Sequence, residues 1–76
     1  MNNTRRKEIK QLMSILEKVN ANLENLQAEE EDAMAAIEEN FSGTDRYEKM
    51  EECSELLGNA MDDISTAITE LEECLK

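Results

Sequence analysis

A chain of 76 residues with 19 acidic and 8 basic side chains, net charge −11, can form one small domain near the lower size limit for a self-sufficient core. It has no histidine for general-base work, no glycine-rich phosphate loop and no serine or cysteine beside an evident activating partner, so composition argues against an enzyme, and no cofactor is expected. An acidic body repels nucleic acid and anionic lipid, so neither nucleic acid nor a membrane is the expected partner; a basic protein surface is.

Acidity also permits disorder, so order has to be argued from pattern. The first ten residues, MNNTRRKEIK, hold Arg5, Arg6, Lys7 and Lys10 against Glu8, a sum of +3, which leaves −14 in residues 11–76. No uninterrupted apolar run follows, and neither a signal peptide nor a membrane span is predicted. From Ile9 the chain steps by three and four through Leu12, Leu16, Val19, Leu23, Leu26, Glu30, Ala33 and Ile37. That is a heptad seam, and it predicts a helix over about 4–41.

The pattern breaks at Ser42-Gly43-Thr44, the predicted turn 42–44. Gly43 suits the left-handed conformation that closes a helix, Ser42 or Thr44 can cap the next one, and Asp45 stands well against its N-terminal dipole. A second series, Met50, Cys53, Leu57, Ala60, Ile64, Ala67, Leu71 and Cys74, predicts a helix over about 45–75. Gly58-Asn59 is a weak spot, yet the heptad phase passes through it and places Gly58 on the outer face, so the helix is expected to continue.

A short turn makes the two helices antiparallel neighbours. Equal rise along both would pair residues whose numbers sum to about 87, setting Ile37 opposite Met50, Leu23 opposite Ile64 and Leu16 opposite Leu71. The same register lays the basic N-terminal cluster beside Glu70, Glu72 and Glu73. The expected fold is all-α: a single domain over 1–76, an antiparallel two-helix coiled-coil hairpin that dimerises into a four-helix bundle.

Self-association is expected because apolar residues are left beside the predicted seam, with docking of a different protein on the same stripe as the alternative. They are Met13, Ile15, Met34 and Phe41 on the first helix and Tyr47, Leu56, Met61, Ile68 and Leu75 on the second, and they form the expected homodimer interface. Cys53 and Cys74 form no framework or CxxC pair, so a reducing cytoplasm is the expected setting and core packing their expected role. Twenty-one residues apart on one helix, about 31 Å, they cannot bridge within a chain, and a bridge between two antiparallel chains is the remaining alternative.

Acidic residues crowd the turn end: Glu29, Glu30, Glu31, Asp32, Glu38, Glu48, Glu51, Glu52 and Glu55 form the candidate surface for a basic protein partner. Glu30 alone falls on the predicted seam, where its long side chain is expected to bend out to water. Carboxylates without histidine suggest at most a weak magnesium or calcium site, and no metal site is assigned. The ExxE spacings at Glu48 with Glu51, Glu52 with Glu55 and Glu70 with Glu73 match those of helical nucleotide pyrophosphatases, but Glu-rich helices produce them by chance. Three readings of function remain. The basic turn at Arg5, Arg6, Lys7 and Lys10 could serve a Rop-like RNA-binding hairpin; the acid rows Glu17, Glu24, Glu31, Glu38 and Glu48, Glu55, Asp62 could imitate phosphates on a basic groove; or the bundle is purely structural.

The segments EEEDAMAAIEENF and DRYEKMEECSELLGNAMDDISTAITELEE resemble a set of small acidic proteins of Gram-positive bacteria and their phages. Those chains carry a Glu-rich run, a Pro-Glu-Asn-like break, a RYEKMEE segment and then heptads of Ile, Ala and Leu. The likeness covers roughly residues 26–75, and Glu38 stands where those chains have proline. It implies a helical hairpin and a mobile-element origin, and by association a host-directed inhibitor such as an anti-CRISPR or other anti-defence protein. No activity transfers with it to any residue.

Overall fold

The computed structural model describes residues 1–41 and 45–76, the side chains of 38–41 excepted. The turn chemistry expected of Ser42, Gly43 and Thr44 lies outside the described residues, as do the side chains of Glu38 and Phe41. Two helices account for the fold: α1, Asn3–Phe41, and α2, Asp45–Leu75, packed side by side in a hairpin 57 Å long and 14 Å across. No strand occurs among the described residues, and no helix is long and apolar enough to cross a membrane.

Each described helix end has a local cause. Asn2 is the N-cap of α1: its Oδ1 accepts the backbone N–H of Arg5 at 2.8 Å, while its carbonyl accepts the first helical bond from Arg6 at 3.1 Å. The α2 helix starts with Asp45 and Glu48 in its first turn, where the dipole favours negative charge. Its other end is closed from across the hairpin, because the Arg6 guanidinium donates to the carbonyl of Leu75 at 2.6 Å. A cation thus meets both an orphan carbonyl and the negative end of the α2 dipole. Arg6 therefore answers to the α2 terminus rather than to the acids once expected beside it; among the described residues no ion pair links Arg5, Arg6, Lys7 or Lys10 to Glu70, Glu72 or Glu73. Glu73 instead pairs with Lys76 at 2.9 Å on the surface, a contact of little energetic weight.

The seam between the helices differs by one row from the expected one. On α1 the half-buried residues are Arg6, Ile9, Met13, Leu16, Asn20, Leu23, Gln27, Glu30, Met34 and Ile37, alternating by three and four. On α2 the corresponding series is Tyr47, Met50, Ser54, Leu57, Met61, Ile64, Ile68, Leu71 and Leu75, with Ser54 buried and the rest half-buried. The rows of Ile9 and Met50 were expected in the seam and lie there. The rows of Leu12 and Cys53 were expected with them; instead Leu12, Val19, Leu26 and Ala33 are exposed, as are Cys53 and Cys74, while Ala60 and Ala67 of the same α2 row stay half-buried at the edge of the seam. The expected core packing of both cysteines is thereby corrected.

Register is corrected as well. Contacts across the hairpin join Arg6 to Leu75, Asn20 to Met61 and Gln27 to Ser54, pairs whose numbers sum to 81, and Asn20 to Ser65 and Glu31 to Ser54, which sum to 85. The helices are therefore offset by between two and six residue positions from the sum of about 87. Polar stitches set this offset: Asn20 Nδ2 donates to the Met61 carbonyl at 3.3 Å and Ser65 Oγ at 3.1 Å, and Gln27 Nε2 donates to the Ser54 carbonyl at 2.9 Å. A single polar residue in a seam fixes register at some cost in stability, and this seam has several.

Gly58 explains how Gln27 reaches across. The α2 helix runs through it without a break, as expected, but the residue is half-buried rather than outside. A Cβ at Gly58 would stand 3.0 Å from Gln27 Nε2, so the missing side chain leaves room for the amide. Alanine there would gain about 1 kcal/mol of helix propensity and disturb a hydrogen bond worth about the same. Accordingly Gly58→Ala alone should change stability by less than about 0.5 kcal/mol, while adding Gly58→Ala to Gln27→Ala should gain about 1 kcal/mol. Urea unfolding of the four proteins at one fixed concentration measures both; equal gains in the two backgrounds would mean that Gly58 makes no room for Gln27.

Candidate interaction surfaces

Two long sides flank the seam, and they differ in chemistry. The stitches show which residues share a side. Asn20 leans to Ser65, Gln27 to Gly58, and Ser54 Oγ donates to Glu31 Oε1 at 3.4 Å, so the row of Glu17, Glu24 and Glu31 on α1 lies beside the row of Glu51, Gly58, Ser65 and Glu72 on α2. With exposed Glu55 and Asp62 next to it, this side is polar and acidic. In an antiparallel pair the remaining flanking rows share the other side. These are Leu12, Val19 and Leu26 on α1, and Cys53, Ala60, Ala67 and Cys74 on α2.

That second side is apolar and open. Leu12 is 53% exposed, Ile15 55%, Leu26 50% and Leu56 58%, values for side chains that normally lie inside. Among the described residues no hydrophobic side chain is buried at all; the single buried residue is Ser54.

The residues expected at a dimer interface are divided by this geometry. Met13, Met34, Tyr47, Met61, Ile68 and Leu75 are half-buried and lie in the seam rows of one hairpin, which accounts for them without a second chain. Ile15 and Leu56 stay exposed, and Phe41 lies outside the described side chains. Sequence reasoning placed Leu12, Val19 and Leu26 inside because they are more apolar than Met13, Asn20 and Gln27, the row that replaces them. The available signal was the polarity of both helices at the same height, since the amides of Asn20 and Gln27 and the hydroxyl of Ser54 reach acceptors on the opposite helix, Met61, Ser65, Ser54 and Glu31, only across a seam.

The acidic candidates are likewise spread around the rod. Glu31, Glu48, Glu51 and Glu55 are exposed on or next to the acidic side; Glu29 is exposed toward the apolar side, and Asp32 and Glu52 on the outer backs of their helices. Glu30 sits half-buried in the seam, level with the Ser54 region, and Glu38 has no described side chain. Among the described residues there is no pocket and no group of three acidic or cysteine side chains placed to hold a metal ion. No family model matches the chain, and no curated protein and no solved structure matches it.

Asn20 carries the clearest internal cost of this arrangement. Its Oδ1 is buried without a hydrogen-bond partner, while its Nδ2 is well used. Desolvating such an oxygen costs about 1–3 kcal/mol, more than a typical bond returns. Asn20→Leu, which adds apolar area at a seam position and removes that oxygen, should raise stability by about 1 kcal/mol, seen as a higher urea midpoint with unchanged slope. A lower midpoint would show that the two donor bonds outweigh the stranded oxygen.

Proposed function

We propose that this chain is a non-enzymatic protein-interaction module whose acidic side binds a basic surface on another protein. One observation carries the reading: among acids that occur all round the rod, Glu17, Glu24 and Glu31 of α1 and Glu51, Glu55 and Asp62 of α2 share one long side, all exposed. Within a row the carboxylates repeat every seven residues, about 10 Å along the helix, in the pattern of a charged ruler. Such a side steers and orients a basic partner through long-range attraction. An inhibitor that occupies a nucleic-acid groove on a host protein is the specific form of this reading that the resemblance to phage proteins favours. A structural bundle is the second reading, and the open apolar side favours it. The RNA-binding alternative has lost part of its footprint, because Arg6 is half-buried and engaged with Leu75.

Two charge-matched triple variants separate these readings. Glu17→Gln, Glu24→Gln and Glu31→Gln remove three charges from the acidic side; Glu29→Gln, Glu52→Gln and Glu70→Gln remove three elsewhere. With the immobilised hairpin and the heparin-binding protein fraction of a cell extract, the first set should lose a retained partner at least tenfold and the second should keep it, at unchanged helicity. Retention should also fall between about 0.1 and 1 M salt, where screening shortens to a few ångströms. Equal behaviour of the two variants would overturn the acidic side as the binding surface.

A further inference from the structure

We infer that the apolar side is covered by a second copy of this chain, laid antiparallel on the first so that a single dyad crosses both helices near Val19 and between Ala60 and Ala67. This interface is independent of whatever the acidic side binds. The demand for a cover is visible in the areas. The hairpin exposes 5778 Å², whereas a compact monomer of 8.7 kDa would expose about 4,700 Å². The excess, about 1,000 Å², is close to the roughly 800 Å² that each partner covers in a standard interface.

Symmetry identifies the occupant. Across a dyad perpendicular to the rod each row meets its own reverse, so it must be complementary to that reverse, a requirement that a foreign partner does not impose. Within the exposed α1 row, Leu12, Val19 and Leu26 reverse about Val19, and the remaining member, Ala33, then falls level with Arg5 of the other copy. The α2 row Cys53, Ala60, Ala67, Cys74, with its cysteines exposed and its alanines half-buried, is a palindrome about the point midway between Ala60 and Ala67. These two centres need not be level, but they are. Cross-hairpin pairs summing to 81 and 85 place Val19 level with positions 62 to 66 of α2, and the α2 centre falls inside that window. One axis therefore serves both helices, and each helix packs against its own symmetry copy.

Charge chooses the direction. The open end of the hairpin, residues 1–10 with 70–76, sums to +1, and the turn end, residues 28–52, sums to −8. A dyad along the rod would stack the two turn ends together. A dyad across the rod sets each turn end beside the other copy's open end, so it separates like charges and adds Arg5, Lys7 and Lys10 to the acidic tip. Small residues on α2 let its copies approach closely, while Leu12, Val19 and Leu26 fill the wider α1 side.

This geometry has a chemical signature. It brings Cys53 of one copy level with Cys74 of the other at both ends of the interface, while like cysteines stay about 31 Å apart. Light scattering in reductant, from low micromolar to millimolar chain, should give twice the monomer mass over the upper range. Treatment with a short bismaleimide should then give a covalent dimer from the native chain, and peptide mapping should find Cys53 joined to Cys74. Cys53→Ser and Cys74→Ser, both at exposed positions, should each reduce the cross-linked yield more than tenfold. A monomer at every concentration would overturn the second copy as occupant. A dimer that fails to cross-link, or single-cysteine variants that cross-link as well as the native chain, would overturn the antiparallel dyad. Persistence of the dimer in the Glu17, Glu24, Glu31 triple variant would keep this result separate from the fate of the acidic side.

Discussion

A two-helix hairpin has one seam, and each helix can turn only one strip of its surface into it. Each helix of this chain carries two apolar strips that share a row: Ile9, Leu16 and Leu23 belong to both on α1, as Leu57, Ile64 and Leu71 do on α2. Whichever strip faces inward leaves the other at best partly covered: on α1 Leu12, Val19 and Leu26 are exposed, and on α2 only the small Ala60 and Ala67 are half-buried between exposed Cys53 and Cys74. Most other features of the molecule follow from that constraint: the absence of a buried hydrophobic residue among those described, the large surface, and the contrast between its two sides. Two strips at this spacing are what a helix in a four-helix bundle needs, one for its hairpin partner and one for a neighbour across the bundle.

The strip that faces inward is the less apolar one on α1. Met13, Asn20 and Gln27 occupy the seam row where Leu12, Val19 and Leu26 were the more hydrophobic neighbours, and Glu30 interrupts the row common to both strips. The compensation lies in α2, where the inward row offers Tyr47, Met61, Ile68 and Leu75 in place of Cys53, Ala60, Ala67 and Cys74. Large side chains on α2 and backbone-seeking amides on α1 make a seam that is weak in burial but specific in register. A hairpin fixed this way holds its outer strip flat and in phase, ready to pack.

Charge acts on a different scale. Isolated surface pairs such as Lys76 with Glu73 contribute little, but the placement of Arg6 on the end of α2 closes the open end of the hairpin through a hydrogen bond and a dipole together. The net −11 then remains as a field over the rod, strongest at the turn end and along the side of Glu17, Glu24 and Glu31. That field opposes any tip-to-tip stacking of like copies, and the same field is what a basic partner would meet.

By itself the sequence determined two long helices, the break between them and their antiparallel sense, because three-and-four spacing and a lone Ser-Gly-Thr interruption depend only on neighbours along the chain. It also determined which residues were available to be apolar: Ile15 and Leu56 were expected beside the seam rather than in it, and both are exposed in the hairpin. What the tertiary structure decided was the choice between rows that are one position apart, such as Leu12 or Met13, Leu26 or Gln27, Cys53 or Ser54. Heptad phase alone leaves both choices open. They are settled by how large side chains on one helix meet amides on the other, and by whether Asn20 and Gln27 find carbonyls within reach. Such contacts exist only once two helices are set side by side. The sidedness of the surface, and with it the candidate site, could not be read along the chain for that reason.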